Sequence, residues 1–319
     1  MDSLYKQFEF ELKRFNTKEN SISSVFIGGG TPSTVSPELY QNIFSLLSFY
    51  LKENAEITTE ANPNSADKTW LEGMKQLGCT RISFGVQSFN DTKLKFLGRE
   101  HNSKQAITAV KMAKNIGYEH ISLDLIYATK MDTKEILQTD IKTAFSLPID
   151  HISAYALTIE ENTLFEKYPE SAKETLELSS FFINEIKKRG FEQYEISNFG
   201  KYRCKHNVGY WNLENYMGVG SGAVGMLENI RFYPTTDIDS YIDNPLNIKE
   251  EKLSNEDIQM EKIFLGLRSC VGVDLDILSQ TELKQANFLV DEKKLVLIKD
   301  RFYNPDFFLS DEIALFLQT

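Results

Sequence analysis

Cysteine is scarce and scattered in this chain. Three occur among 319 residues, Cys79, Cys204 and Cys270, none close to another in sequence. An odd, dispersed set makes no disulfide framework and no close-spaced metal motif, and it fits a reducing compartment, read here as the cytoplasm. Apolar runs are short: nothing approaches the roughly 18 consecutive apolar residues of a membrane-spanning helix. The opening segment MDSLYKQFEFELKRF lacks a signal-peptide core and reads as an amphipathic helix. Positive charge is also in short supply. Lys and Arg number 35 against 46 Asp and Glu, a net charge of −11, which argues against a nucleic-acid surface, since that needs clustered Lys and Arg. Histidine is rare, and His101, His120 and His151 form no metal signature. There is no internal repeat and no low-complexity tract.

What is present is an ordinary globular composition, 41% apolar and 25% charged, in a chain long enough for one large domain and an appendage. The first half alternates two patterns. SSVFIGGG, EITTEANP, RISFGVQS, HISLDLIY and HISAYALT are short β-branched or aromatic runs. Between them, residues 37–52, 66–77, 103–117 and 133–146 space apolar side chains by three and four and predict helices. In the third of these, Ala106, Ile107, Val110 and Ala113 share a face, and Gly117 is a natural C-cap. Strand–helix–strand repetition at this pace implies parallel pairing with right-handed crossovers, hence a doubly wound sheet or a barrel. The strand ends favour the barrel. Gly28, Gly29 and Gly30 end the first strand and Glu60 the second; Gln87 follows the third, Asp124 lies in the fourth and Tyr155 late in the fifth. Barrels gather their active-site groups at that end. Any one such residue could merely solvate a strand end, but five in succession point to a common site.

The rhythm breaks after residue 160. A helix is expected at about 171–189, followed by FEQYEISNF and then by CKHNVGYWNLENYMGVGSGAVG, dense in Gly, Asn and aromatics. Residues 251–319 read as helix, helix, short hairpin (KLVLIKDRFYN) and last helix, a small winged-helix-like module. With 8 Lys and Arg against 13 Asp and Glu, that module is no phosphate binder. Three parts are therefore expected: a partial barrel over 1–160, an extension over 161–250 and a C-terminal helical and hairpin domain over 251–319.

The glycine triplet poses a ligand question. A dinucleotide fingerprint would use Gly28 and Gly30 but meets Ser33 where its third glycine belongs, and a Walker A loop needs a Gly-Lys-Ser/Thr that is absent. The amino-acid end of a zwitterionic ligand suits bare backbone, whose carbonyls accept from an ammonium with no Cβ in the way. Its carboxylate would want a planar two-pronged donor, which Arg99 offers. An attached ribose would want a carboxylate such as Glu60 or Asp124. S-adenosylmethionine (SAM) meets all three demands. Each residue also has a structural alternative: Arg99 as a surface charge at a helix start, Asp124 as a hydrogen-bonded strand residue, Glu60 as a turn residue before Asn62-Pro63.

GGGTPS, TEANP, RISFGVQSFNDTKLKFLGREH and SLDLIY, in this order, resemble the radical SAM superfamily, in particular its coproporphyrinogen-dehydrogenase-like branch. YEISNF and HNVGYWNLENYMGVGSGA look like the heme-chaperone members of that branch. The resemblance covers nearly the whole chain. It implies an α/β fold, an incomplete (β/α)6 TIM-like barrel with the first strand missing, plus a small C-terminal winged-helix-like domain. By the same resemblance Gly29, Gly30 and Thr31 cradle the methionine moiety of SAM. Glu60, Gln87, Arg99 and Asp124 hold its remaining polar groups, and backbone near Ala156 lies beside the adenine. Heme is implied as a second ligand and a respiratory heme-acceptor protein as a partner. The alternative within the branch is oxygen-independent coproporphyrinogen III dehydrogenase, whose propionate-rich substrate calls for several basic side chains at the barrel mouth. The strand-end loops show no such cluster. A barrel that only binds SAM or a partner, without catalysis, is a third option.

Three features depart from the family pattern. Members carry Cys-x-x-x-Cys-x-x-Cys after the first barrel strand, three thiolates that hold a 4Fe-4S cluster, and no such motif occurs here. Met1 aligns with the first barrel helix, so the preceding strand and cluster loop are expected upstream of it; without them SAM cleavage is not available to the chain. DLIYATKMDT has Ala128-Thr129-Lys130 where a Gly-x-Pro-Gly-like turn is usual, so no rigid glycine turn carries over. Val224-Gly225 stands where His-Ser is frequent. The candidate heme motif is His206-Asn207-x-x-Tyr210-Trp211: a neutral imidazole can ligate iron axially, and the aromatics offer flat apolar surface. Cys204 is an alternative thiolate ligand. The structural alternative has Asn207 capping a turn, the aromatics packed, and His206 solvated.

Overall fold

In the computed structural model the five predicted strands are β1 (Ile22–Ile27), β2 (Leu51–Ala61), β3 (Arg81–Gln87), β4 (His120–Tyr127) and β5 (His151–Ala156). The structure describes residues 1–161, 163–173 and 175–318. Pairing is parallel from β2 through β5, with Glu60 opposite Ser83 and Asp124 opposite Ser153. Ile82, Phe84, Val86, Ile121, Leu123 and Leu125 are all buried, the behaviour of parallel strands covered on both faces.

Helices begin where local chemistry satisfies their first amides. α1 (Asp2–Arg14) precedes β1 and α2 (Gln41–Leu47) precedes β2. Asp67 caps α3 (Lys68–Gln76), and Asn90 caps α4 (Asp91–Phe96). Asn102 forms a capping box on α5 (Ser103–Ile116), which Gly117 ends at φ 100° as expected. Thr133 caps α6 (Lys134–Ala144), and Thr175 caps α7 (Leu176–Lys188). The helix expected over 37–52 is shorter than its periodicity indicates. A 3-10 turn (Pro37–Tyr40) leads into α2, and β2 then starts at Leu51. Residues 52–54 are exposed, so no apolar alternation announces that strand's beginning.

After α7 the chain adds β6 (Glu192–Gln193) and β7 (Asn198–Gly200); β7 lies antiparallel to β5, and β6 antiparallel to β7. The sheet order is β1-β2-β3-β4-β5-β7-β6. This is an α/β fold with a curled, mostly parallel sheet, an incomplete TIM-like barrel. An antiparallel pair follows β5, in the FEQYEISNF segment and just after it. Among the described residues β1 is bonded to β2 alone, and residues 25–27 are half-buried.

Two compact units result. One comprises Ser24–Gln41 and Ala55–Arg203 and holds most of this sheet; the other comprises Met1–Ser23, Asn42–Asn54 and Cys204–Thr319. The latter contains α8 (Lys205–Trp211), β8 (Gly225–Leu227), β9 (Ile230–Pro234), α9 (Ile238–Asp243) and β10 (Ile248–Lys252), the strands forming an antiparallel sheet. It continues with α10 (Asn255–Leu267), β11 (Val273–Asp274), α11 (Gln280–Asp291), β12 (Val296–Ile298), β13 (Arg301–Tyr303) and α12 (Ser310–Leu317). The last three strands pair antiparallel in the order β11-β13-β12. They pack with the helices around Leu267, Ala286, Leu289, Phe302 and Ile313, the winged-helix-like module expected. Among the described residues no helix is long and apolar enough to cross a membrane.

Candidate functional site: a SAM cradle and an aromatic histidine helix

The loop leaving β1 is stitched to the end of β2. Ser33 Oγ accepts from the Asn62 backbone N–H at 3.0 Å and lies 2.6 Å from Ser65 Oγ, while Asn62 Nδ2 donates to Thr31 Oγ1 at 3.4 Å. Gly28 runs beneath Glu60: a Cβ there would sit 2.8 Å from Glu60 Oε2 and 2.8 Å from Phe26 Cε1. Gly29 and Gly30 take φ of 78° and 136°, where a side chain is strained, and a Cβ on either would meet no atom within 4 Å. Two adjacent backbones therefore face open space, and the Gly29 N–H donates to the Glu60 carboxylate.

The neighbouring strand ends supply the charges. β3 shifts register between Phe84 and Gln87, and Gln87 adopts φ 66°, an uncommon conformation for a residue with a side chain. The Gln87 amide folds over Gly85, its Nε2 lying 3.2 Å from where a Gly85 Cβ would be. Asp124 in β4 accepts from Ser83 Oγ at 3.1 Å. Desolvation pushes the Asp124 carboxyl above its usual range, against the opposing pull of Ser83, Arg81, Ser153 and Arg99. Glu60 is raised too, first by burial and then by the charge of Asp124, against the Gly29 N–H and Arg81. Arg99 lies beyond the end of α4, its backbone N–H bonded to Leu94 O, rather than at a helix start. It is half-buried, and among the described residues its buried Nε has no hydrogen-bond partner.

These groups suit one kind of ligand. Two carboxyls are held above their ordinary range mainly by burial, and a desolvated guanidinium keeps an Nε without an acceptor among the described residues. A zwitterion carrying a diol supplies donors to the first and an acceptor to the second, so the residues present fit SAM. Gly29, Gly30, Thr31, Glu60, Gln87 and Asp124 stand at or near the strand ends of one unit, Arg99 beyond α4 in the same unit feels the charge of Asp124, and Ala156 closes β5 opposite Tyr127. Tyr155 belongs with them although the sequence marked it only as a strand-end residue. Although the residue is 45% exposed, its phenol is raised by desolvation and by the neighbouring charges of Asp124, Glu195 and Glu60. Asn62 and Ser33, which stitch the loop, gave no sequence signal beyond lying in TEANP and GGGTPS.

Among the described residues no comparable site for an iron–sulfur cluster is found. Cys79 is buried with its thiol pushed up to about 12 by desolvation; Cys204 is buried and Cys270 half-buried. No group of three or more His, Cys, Asp or Glu among the described residues is arranged to hold a metal. The described residues thus do not fit a 4Fe-4S cluster.

His206 lies in the other unit, in α8, whose N-cap is Cys204 and not Asn207. Its ring meets Tyr210 edge-on at 4.6 Å, and Tyr210 meets Tyr216 edge-on at 4.5 Å. The three rings make a ladder in which Tyr210 stays open to solvent while His206 and Tyr216 are half-buried.

Residues 6–144 match the radical SAM superfamily. The heme chaperone HemW of Haemophilus influenzae is 34% identical, over 98% of this chain and 88% of its own length. This chain belongs to the HemW family. HemW of Bacillus subtilis is likewise 34% identical, over 81% of this chain and 72% of that protein. The solved structure of Escherichia coli coproporphyrinogen III oxidase, HemN, superposes on all of this chain and 82% of its own with a TM-score of 0.79, at 17% identity, a likeness of fold. The candidate site residues from Gly29 to Asp124 fall inside the radical SAM match, whereas Ala156 and His206 fall outside it.

Proposed function

We propose that this chain is a heme chaperone that binds SAM at its barrel strand ends, takes up heme in its other unit, and passes the heme to an acceptor protein. The observation that carries this reading is its kinship, along nearly its full length, with proteins named heme chaperones. Gly29, Gly30 and Thr31 would receive the methionine ammonium on bare backbone, Arg99 its carboxylate, and Glu60 and Asp124 the ribose diol, with Gln87 and the backbone at Ala156 toward the adenine. In the radical SAM superfamily bound SAM supplies a 5′-deoxyadenosyl radical when a reduced cluster accompanies it. The part assigned to this chain's own residues is to hold the nucleoside. His206 would ligate heme iron, with Tyr210 giving the porphyrin an apolar wall. The acceptor is inferred to be respiratory and the compartment cytoplasmic.

Titrating the purified protein with heme tests this. A saturable Soret shift is expected, lost or displaced in His206→Ala. No shift in the wild type would remove the chaperone reading, whereas an unchanged shift in the variant would remove only His206. Conversion of coproporphyrinogen III would instead favour the dehydrogenase.

A further inference from the structure

Lysine is almost never fully buried without a partner, yet Lys93 in α4 has no solvent exposure. Its Nζ lies 2.6 Å from Asp132 Oδ1 and 3.6 Å from Asp140 Oδ2. Asp140, in α6, also accepts from Ser88 Oγ at 2.8 Å and from the Phe89 N–H at 2.6 Å. Asp132 accepts from both the backbone N–H (2.8 Å) and the Oγ1 (3.0 Å) of Thr129. One ammonium thus ties together the residues just after β3, helix α4, the loop after β4 and α6.

Three of the tied segments adjoin the cradle. Ser88 directly follows Gln87, the 128–133 loop follows the strand of Asp124, and α4 leads into Arg99. The 128–133 loop is also where the family's glycine turn is replaced. Ala128 takes φ 60° without a glycine's freedom. Its carbonyl accepts from the Lys173 N–H at 2.8 Å, and the Lys130 N–H donates to Ser171 O at 2.9 Å. Side-chain ties anchored on Lys93 and Asp132 add to these backbone bonds in a loop that contains no glycine. A buried ion pair adds little net stability, and its better-attested use is to select one arrangement.

We infer that Lys93, with Asp132 and Asp140, is a positioning residue for the SAM site: it sets α4 against the 128–133 loop so that Arg99 meets the ligand carboxylate. This rests on the SAM reading above. The test compares SAM with decarboxylated SAM, which lacks the group Arg99 receives, by titration calorimetry on the full chain. Wild type should prefer SAM by about tenfold or more, the value of one charge-assisted contact. Lys93→Met/Asp132→Asn, which removes both members of the short ion pair, should lose that preference and match Arg99→Ala, while binding decarboxylated SAM as wild type does. Asp132→Asn alone, the milder change, should lose part of it, which keeps the test open if the double variant fails to fold. A retained preference, or an equal weakening toward both ligands, would overturn the positioning role. Wild type that binds neither ligand would overturn the SAM assignment itself, and this inference with it.

Discussion

Gly28→Ala separates a packing role from a ligand-holding one. The Gly28 backbone is outside the left-handed region, so alanine can adopt its conformation. Its new Cβ, however, would lie 2.8 Å from Glu60 Oε2, 2.8 Å from Phe26 Cε1 and 2.9 Å from Glu60 Cδ. Overpacking of this kind costs about 1–3 kcal/mol in a rigid core. The lower end applies here, because the Glu60 carboxylate is the free end of a flexible side chain and can swing away. Swinging breaks its bond from the Gly29 N–H and takes the acceptor from the ligand. Loss of one hydrogen bond to a charged group is worth about 1.5–3 kcal/mol, which is about 10- to 150-fold in Kd. Calorimetric titration with SAM should therefore show a large loss of affinity with only a small fall in thermal midpoint. If the effect runs through Glu60, adding Gly28→Ala to Glu60→Ala should change affinity little. Wild-type affinity in Gly28→Ala, or full additivity in the double variant, would refute the role assigned to Glu60.

The pH dependence of SAM binding has a definite sign. Glu60 and Asp124 are raised in the free protein mainly by burial, and a bound cation favours their ionised forms. Binding should release protons, and affinity should climb as pH rises above about 4, the ordinary carboxylate value; a flat profile in calorimetry would contradict this. The same two groups bind protons more tightly in the folded state, so their contribution to apo stability falls as pH rises through their raised folded values, readable as a ligand-free thermal midpoint. Arg99→Lys should weaken SAM binding at least about tenfold, because an ammonium cannot offer two parallel donors; competition binding would show it. Cys79, with its thiol near 12 and its side chain buried, should resist a maleimide in the native protein and react in denaturant, as mass spectrometry of the labelled peptide would report.

Much of the barrel was legible because its signals are local. β3, β4 and β5 are runs whose period and composition leave little choice, and α5 announces both ends through Asn102 and Gly117. β2 was seen only over its buried half, because residues 52–54 are exposed and carry no periodic signal. The antiparallel pair β6 and β7 was not legible, since two strands of two and three residues are made by pairing and not by propensity. Lys93 was the largest omission: in NDTKLKF it looks like one charge among several on a short helix, and its burial depends on Asp132 and Asp140, 39 and 47 positions further along the chain.

From residue order alone came the repeating strand and helix units, the polar residue at the end of each strand, and a kinship carried by GGGTPS, RISFGVQS and HNVGYW. Those depend on neighbours a few positions apart, where backbone geometry dictates which side chains share a face. Three-dimensional packing alone decided that Glu60 lies against Gly28, that Asp124 and Arg99 feel one another's charge, and that a buried lysine locks the loops behind them. Such pairings join residues far apart in the chain, and the energy of bringing charges out of water appears only once the chain has closed around them.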